Sequence, residues 1–416
     1  MLGLNKIRKY KKRKLAKHNL LNEDAEELYN YLLLGKNPDK LIKKRGIKIR
    51  NIDIKWLEAF WSSFYLDDIK NKKNETYITE SIKKGLLNNC PLNLLIQLYT
   101  ISLRGGLFKI GYHIRQEIIR KNYIENRENV NYEYAVPSLI ENNRYDELNE
   151  YIDRNTINDE FIVSSINLLL KGNGITSYTK SETKFHDYVK QQDIVFVGPA
   201  KYTSELKENN IKNKILIHPN YKAIPNNNSI LTKCDITTYT NPQLRAIIKK
   251  ELEWVDRVSF ILYQSDNLYK QFINVYYDNY KADISNKLIK RYGVTKKLKN
   301  FGDYNSLPKV IFQIYKHNPK SFYITKSDLM LTKEREQGYV PDELTRDKDF
   351  VQSFLIMSGR HHDPYAQYII LKRLFDLGAI EGDQRFREVM QLGVYNYMCQ
   401  LQNIYGNYGR ILKRNT

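Results

Sequence analysis

The hydrophobic period of this chain changes once, between Lys171 and Thr183, and that change limits what it can fold into. Before it, apolar residues recur at three- and four-residue spacing. The segments are Ala25–Leu34, Lys55–Leu66, Pro91–Leu103, Phe108–Ile119, Ala135–Ile152 and Phe161–Leu170. This is the period of amphipathic helices. After it come short runs rich in β-branched residues: "DIVFV" at Asp193–Val197, "KILIH" at Lys214–His218, "CDITTYT" at Cys234–Thr240, and a fourth within Trp254–Tyr263. Helical stretches at Thr203–Asn209, Pro242–Glu253 and Ser265–Tyr277 separate them. Strands alternating with helices predict a mostly parallel sheet with helices on both faces. The stretch between the two regimes, "KGNGITSYTKSET", has no apolar period and reads as a linker.

With 416 residues the chain is too long for one ordinary core. The expected organisation is a basic tail over 1–20, an all-α helical domain over 21–180, and a Rossmann-like α/β domain over 185–416. Within the helical part, Pro91–Leu103, the pair Gly105–Gly106 and Phe108–Ile119 read as helix, tight turn, helix. Ala135–Ile152 repeats the plan, with Asn142–Asn143–Arg144 as its turn. The stretch "SLRGGLFKIGYHIRQEII" resembles a tetratricopeptide-type repeat, which implies partner binding; a plain helical cap is the other reading. The C-terminal part is helical again, over His362–Leu377, Phe386–Leu392 and Tyr395–Tyr405.

Hydrophobic residues at 42% and charged residues at 27% argue for a folded protein and against wholesale disorder. No apolar run reaches the roughly 20 residues of a membrane helix. No signal peptide is expected, so the expected compartment is the cytoplasm. The three cysteines, Cys90, Cys234 and Cys399, form no CxxC pair and read as free thiols; no zinc-ligand spacing occurs. The formal net charge of +20 is concentrated at the N-terminus, where residues 1–20 carry Lys6, Arg8, Lys9, Lys11, Lys12, Arg13, Lys14 and Lys17 without an acid. This tail is either solvated or docks peripherally on an anionic membrane at its inner face. Nucleic acid is not an expected partner, because no RNP, KH or helix-turn-helix signature occurs. A basic helical-repeat scaffold that binds nucleic acid or protein is nevertheless the non-enzymatic alternative.

Two segments are candidates for chemistry. "DIVFVGPA" ends a strand in Gly198–Pro199–Ala200. Ligands of open α/β sheets bind beyond the carboxyl ends of strands, and a glycine there permits close backbone approach to a phosphate. The N–H groups of a following helix, with Thr203 and Ser204, would hold the anion. Neither GxGxxG nor GxxxxGK[ST] is present. In the second segment, "FLIMSGRHHDPYAQYIILKRLFDLG", His361 and His362 precede Asp363 as N-cap and Pro364 as first helical residue. A histidine at a helix N-terminus stays neutral and available as a base. Ser358–Gly359 offers a hydroxyl and backbone N–H groups to a phosphate. Asp235 is a ribose contact or a turn cap.

Taken together, "HHDPYAQYIILKRL", "DIVFVGPA" and "CDITTYTN" resemble the sialyltransferase-like, CMP-sugar-dependent glycosyltransferases, in particular their bacterial capsule-type members. In those a "GY-P" segment, here Gly338 to Pro341, precedes an "HDP…Q…L…L…G.I..D" block, here His362 to Asp383. The resemblance covers about Asp193 to Gly406 and departs from the family pattern at Pro199, where Asn is usual, and at Gln367, where Glu is usual. It implies an inverting, metal-independent transfer of sialic acid, Kdo or a relative from a CMP-activated donor. The acceptor would be a surface glycan or glycolipid, such as capsule or lipooligosaccharide. His362 would be the base, with His361 as fallback, and no cofactor would be needed. Gly198, Pro199, Ala200, Asn241, Ser358, Gly359 and Thr325 would bind the nucleotide sugar. Tyr323, Lys326 and Ser327 would support them. A UDP or CDP carrier on the same sheet is a third reading.

Overall fold

In a computed structural model of the chain, the described residues run from 27 to 410. Those left out of the description are 29, 33, 35, 37, 39–53, 66–67, 155–156, 207–209, 221–232, 240–243, 245–252, 265, 291–297, 299–303, 336–353, 356–357 and 359–361. The basic tail, Asn241, Gly359, His361 and the Gly338–Pro341 segment therefore lie outside the described residues. The chain divides into two compact units. The first comprises residues 1–128, 351–363 and 395–416; the second comprises 129–350 and 364–394.

Unit 1 is helical. Its described elements include α1 (Ile54–Ser62), α2 (Asp68–Lys83), α3 (Leu92–Arg104) and α4 (Phe108–Asn126). To these it adds α13 (Val394–Gly409), apart from that helix's first residue. Trp56, Phe60, Phe64, Leu95, Leu98, Ile101, Ile110 and Ile114 are fully buried, which is the 3.6-residue period turned into a core. The Gly105–Gly106 turn has a packing reason. Gly106 adopts φ 72°, and a Cβ there would stand 2.7 Å from the Cα of Gly406 on α13. Gln402 of the same helix accepts from the Lys109 N–H at 2.9 Å and donates to Glu75 at 2.7 Å.

Among the described residues, unit 2 carries a seven-stranded sheet in which every strand pairing is parallel. The strands are β1 (Asp193–Val197), β2 (Ile215–Pro219), β3 (Ile236–Thr238), β4 (Phe260–Tyr263), β5 (Leu288–Lys290), β6 (Ser321–Thr325) and β7 (Glu381–Gly382). Their order is β5-β4-β3-β2-β1-β6-β7. All residues of β2, β3 and β4 are buried, as in strands covered on both faces. Its described helices are α5 (Tyr132–Glu141), α6 (Tyr145–Arg154), α7 (Glu160–Lys171), α8 (Thr183–Val189), α9 (Asp266–Tyr280), α10 (Ser306–Tyr315), α11 (Pro364–Asp376) and α12 (Gln384–Gln391).

The α/β class stands, and the first strand falls where the apolar run places it. The boundary near residue 180 does not match the contacts. Residues 129–180 belong with the sheet, because α7 packs on α10 and α11. Arg373 of α11 donates to the Leu169 carbonyl at 2.8 Å and lies 4.1 Å from the Tyr145 ring. Conversely, 351–363 and α13 belong with the N-terminal helices: Phe354 stacks on Phe108 and lies against Tyr405. The expected helix at Thr203–Asn209 is absent over its described part, Thr203–Leu206. There the Ser204 hydroxyl accepts the Leu206 N–H at 3.2 Å, offering the backbone a local alternative to a helix. Trp254–Tyr263 splits into a 3₁₀ turn, Glu253–Arg257, and β4.

Candidate functional site

The strand order runs outward from β1 to β5 on one side and from β6 to β7 on the other. It therefore reverses between β1 and β6. In open parallel sheets the ligand crevice lies at the carboxyl ends of the strands at such a reversal. Gly198, Pro199 and Ala200 follow β1, Thr325 ends β6, and Lys326–Asp328 follow it, so the structure brings these candidates to one edge.

What they do there is more specific than the sequence reading. The Gly198 N–H donates to the Thr325 carbonyl at 2.7 Å, and the Ala200 N–H donates to the Lys326 carbonyl at 3.0 Å. A Cβ on Gly198 would run into the Lys326 carbonyl group, 2.7 Å from its carbon. Close approach is why glycine is required here, but the group that approaches is the β6 loop. Thr325 is fully buried and its hydroxyl donates to Asp383 at 2.7 Å. Ser204 lies 2.5 Å from the Thr325 hydroxyl, whose proton is committed, so Ser204 is the donor in that pair.

Asp383 is the hub of this edge. It is 1% exposed, and it accepts from Thr325, from Tyr202 at 3.1 Å, from the Lys326 N–H at 3.1 Å and, as N-cap of α12, from the Phe386 N–H at 2.9 Å. Burial, then the charges of Asp383 and Asp328, push the Tyr202 phenol far above its ordinary range. The β6 loop is itself unusual: Lys326, Leu329 and Met330 all have positive φ, between 50° and 78°. Asp328 on this loop is buried, accepts from Thr332 at 2.5 Å, and has Arg385 at 3.7 Å.

The neighbouring carboxyl ends, of β2 and β3, are polar and sunk. His218, one residue before the end of β2, is 4% exposed, and burial drives its imidazole down to about 4, with the Lys326 charge acting in the same direction. Asn220 follows at φ 54°, 2% exposed, and its N–H donates to the Thr238 carbonyl at 2.9 Å. Asp235, by contrast, precedes β3. Its carboxylate accepts the Leu216 N–H at 2.8 Å, so it acts as a strand-start cap away from the carboxyl edge.

Compared with models of protein families, with curated proteins and with solved structures, the chain matches none of them.

The second candidate segment is divided: Ser358, His362 and Asp363 belong to unit 1, and from Pro364 onward it belongs to unit 2. Ser358 is fully buried, and its hydroxyl donates to the Phe354 carbonyl at 2.7 Å. His362 is half-buried. Asp363 accepts from the Tyr99 hydroxyl at 2.6 Å and pairs with Arg115 at 3.2 Å, all three buried. The loop bearing His362 is therefore anchored to α3 and α4 through its next residue. Gln367 is buried in unit 2. Among the described residues, no group of three or more His, Cys, Asp or Glu side chains is placed to hold a metal ion. Among them, too, no helix is long and apolar enough to cross a membrane.

Tyr202 and the hub role of Asp383 escape sequence reasoning. A signal for Asp383 exists: an aspartate directly before a helix, three residues ahead of Phe386, is an N-cap pattern, and it closes the quoted block. Also missed is a buried group at the opposite, amino-terminal ends of β1 and β6. There Lys316 pairs with Glu182 at 2.8 Å beside His317 and His186.

Proposed function

We propose that the chain is a glycosyltransferase using a CMP-activated sugar, with the nucleotide seated at the carboxyl edge of the unit 2 sheet. The observation that carries this reading is the reversal of strand order between β1 and β6 in an all-parallel sheet, with buried polar side chains gathered at the strand ends around it. The departing CMP leaves with charge on its phosphate, which calls for cationic or hydrogen-bonding groups fixed in advance. Lys326, on the β6 loop, is of that kind. The family resemblance offers His362 as the base; within unit 1 it is half-buried, and Asp363 after it is held by Arg115 and Tyr99. The donor sugar belongs to the sialic acid or Kdo class and the acceptor is a surface glycan or glycolipid. The paired helices α3 and α4 belong to a repeat-like layer that serves partner or acceptor binding, and the basic tail meets an anionic membrane surface.

The test is calorimetric titration of the full chain with CMP, UMP, CDP and ADP, on wild type and His362→Ala. Selective CMP binding, retained without His362, supports the donor assignment and leaves His362 free for proton transfer. No binding of any nucleotide removes the reading and brings forward a non-enzymatic scaffold. Gly198→Val is a poor probe, because its side chain would collide with the Lys326 backbone whether or not a ligand binds there.

A further inference from the structure

Thr238 is the last residue of β3 and 1% exposed, and among the described residues its hydroxyl has no hydrogen-bond partner. Its neighbour shows what the fold does with such a group when it can: the Thr237 hydroxyl donates to the His218 carbonyl at 2.9 Å. A buried hydroxyl left without a partner is costly and rare, so each instance asks for a missing partner. Thr238 stands at the carboxyl end of a central strand of a parallel sheet, where ligands bind. Its carbonyl holds Asn220, so the ends of β2 and β3 are tied together with polar groups sunk below the surface.

Charge is supplied from the other side of β1. Lys326 is half-buried directly after β6, and its ammonium acts on the imidazole of His218, one residue before the end of β2. The edge thus presents a neutral hydrogen-bonding end at β3 and a cationic end at the β6 loop. His218 and Thr237 pair in register and share one face, while Thr238 points to the other. A ligand that meets both lies over the edge rather than against one face.

Resting on the nucleotide reading above, we infer that the donor's nucleoside is hydrogen-bonded by the Thr238 hydroxyl at the carboxyl end of β3 and its phosphate is held by Lys326. This assigns recognition to β2, β3 and Lys326 rather than to the Gly198 turn, whose backbone groups are engaged with β6.

The experiment is calorimetry of the full chain with CMP and with cytidine, on wild type, Thr238→Val, Thr238→Ser and Lys326→Met. Valine fills the space of threonine and removes only the hydroxyl, so Thr238→Val keeps or raises the melting temperature. It weakens CMP and cytidine alike, by about tenfold for one lost hydrogen bond. Thr238→Ser retains binding. Lys326→Met weakens CMP by about tenfold or more and leaves cytidine unchanged. If wild type binds CMP and Thr238→Val binds it equally well, the hydroxyl is satisfied by water and the inference falls while the nucleotide reading stands. Unchanged CMP affinity in Lys326→Met overturns the phosphate half. If wild type binds no nucleotide, both fall together.

Discussion

His317 gives the sharpest test of the unit 2 core. It is fully buried, and among the described residues neither ring nitrogen has a hydrogen-bond partner. Phe185 meets it edge-on at 4.8 Å; Tyr178 and His186 lie at 5.9 and 5.8 Å; Lys316 is its chain neighbour, and Glu182 is 4.0 Å away. Glu182 is already held by Lys316, at 2.8 and 2.9 Å. Burial, then Lys316 and His186, hold the imidazole down to about 2. The sign follows: the native ring stays neutral while the unfolded ring takes up a proton near 6.5, so stability is present above that value and lost as pH falls through it. From pH 7 to pH 5 the loss is about 2 kcal/mol, set by the unfolded value alone so long as the native one lies well below 5. His317→Phe removes this loss. Any misfit of the larger ring costs the same at both pH values and cancels in the comparison. Hydrogen exchange of peptides covering β1 and β6 reports opening of this core. The advantage of the variant over wild type should grow by roughly 30-fold in protection between pH 7 and pH 5. A difference that stays constant between the two pH values would refute the reasoning.

Other perturbations read separate parts of the fold. Asp383→Ala leaves Thr325, Tyr202, the Lys326 N–H and the Phe386 N–H without their acceptor. It should cost about 4 kcal/mol, seen as a large drop in thermal midpoint. Gly198→Ala forces the β1 and β6 loops apart and should destabilise by about 2–3 kcal/mol in urea titration, with or without nucleotide present. Asp363→Ala removes the carboxylate that pairs with buried Arg115 in the core of unit 1 and should cost about 3–5 kcal/mol. The double variant Asp363→Leu with Arg115→Met should cost less than the sum of the singles, which a double-mutant cycle measures.

The elements most legible in the sequence are those whose burial is continuous. Asp193–Val197 is apolar after its first residue, and the strand occupies those same positions. The α3–Gly105–Gly106–α4 hairpin is legible because a helical period stops at a glycine pair. Elements held by context are not. β5 and β7 have three and two residues, too few to show a period, and are strands because β4 and β6 offer them hydrogen bonds. Domain membership is hidden for a related reason. Nothing local in "QLQNIYGNYG" says that Gly406 will meet Gly106, some 300 residues earlier.

The same distinction explains the candidate site. Sequence patterns report that a position is unusual, and Gly198 and Asp383 are both unusual. They do not report what makes it so. Gly198 is glycine because another strand's loop crosses it. Thr325 is a hydroxyl residue because Asp383 needs a donor. These are demands of packing at a strand reversal, and they would hold in a protein that bound nothing there. Thr238 attracts no notice in the sequence, since threonine in a strand is ordinary. In the fold it is a buried hydroxyl left unanswered among the described residues, beside Thr237, whose hydroxyl is answered. A group that packing leaves unsatisfied points more directly to a ligand than one that packing already explains, and that is why the weight of the nucleotide proposal belongs on Thr238 at the end of β3.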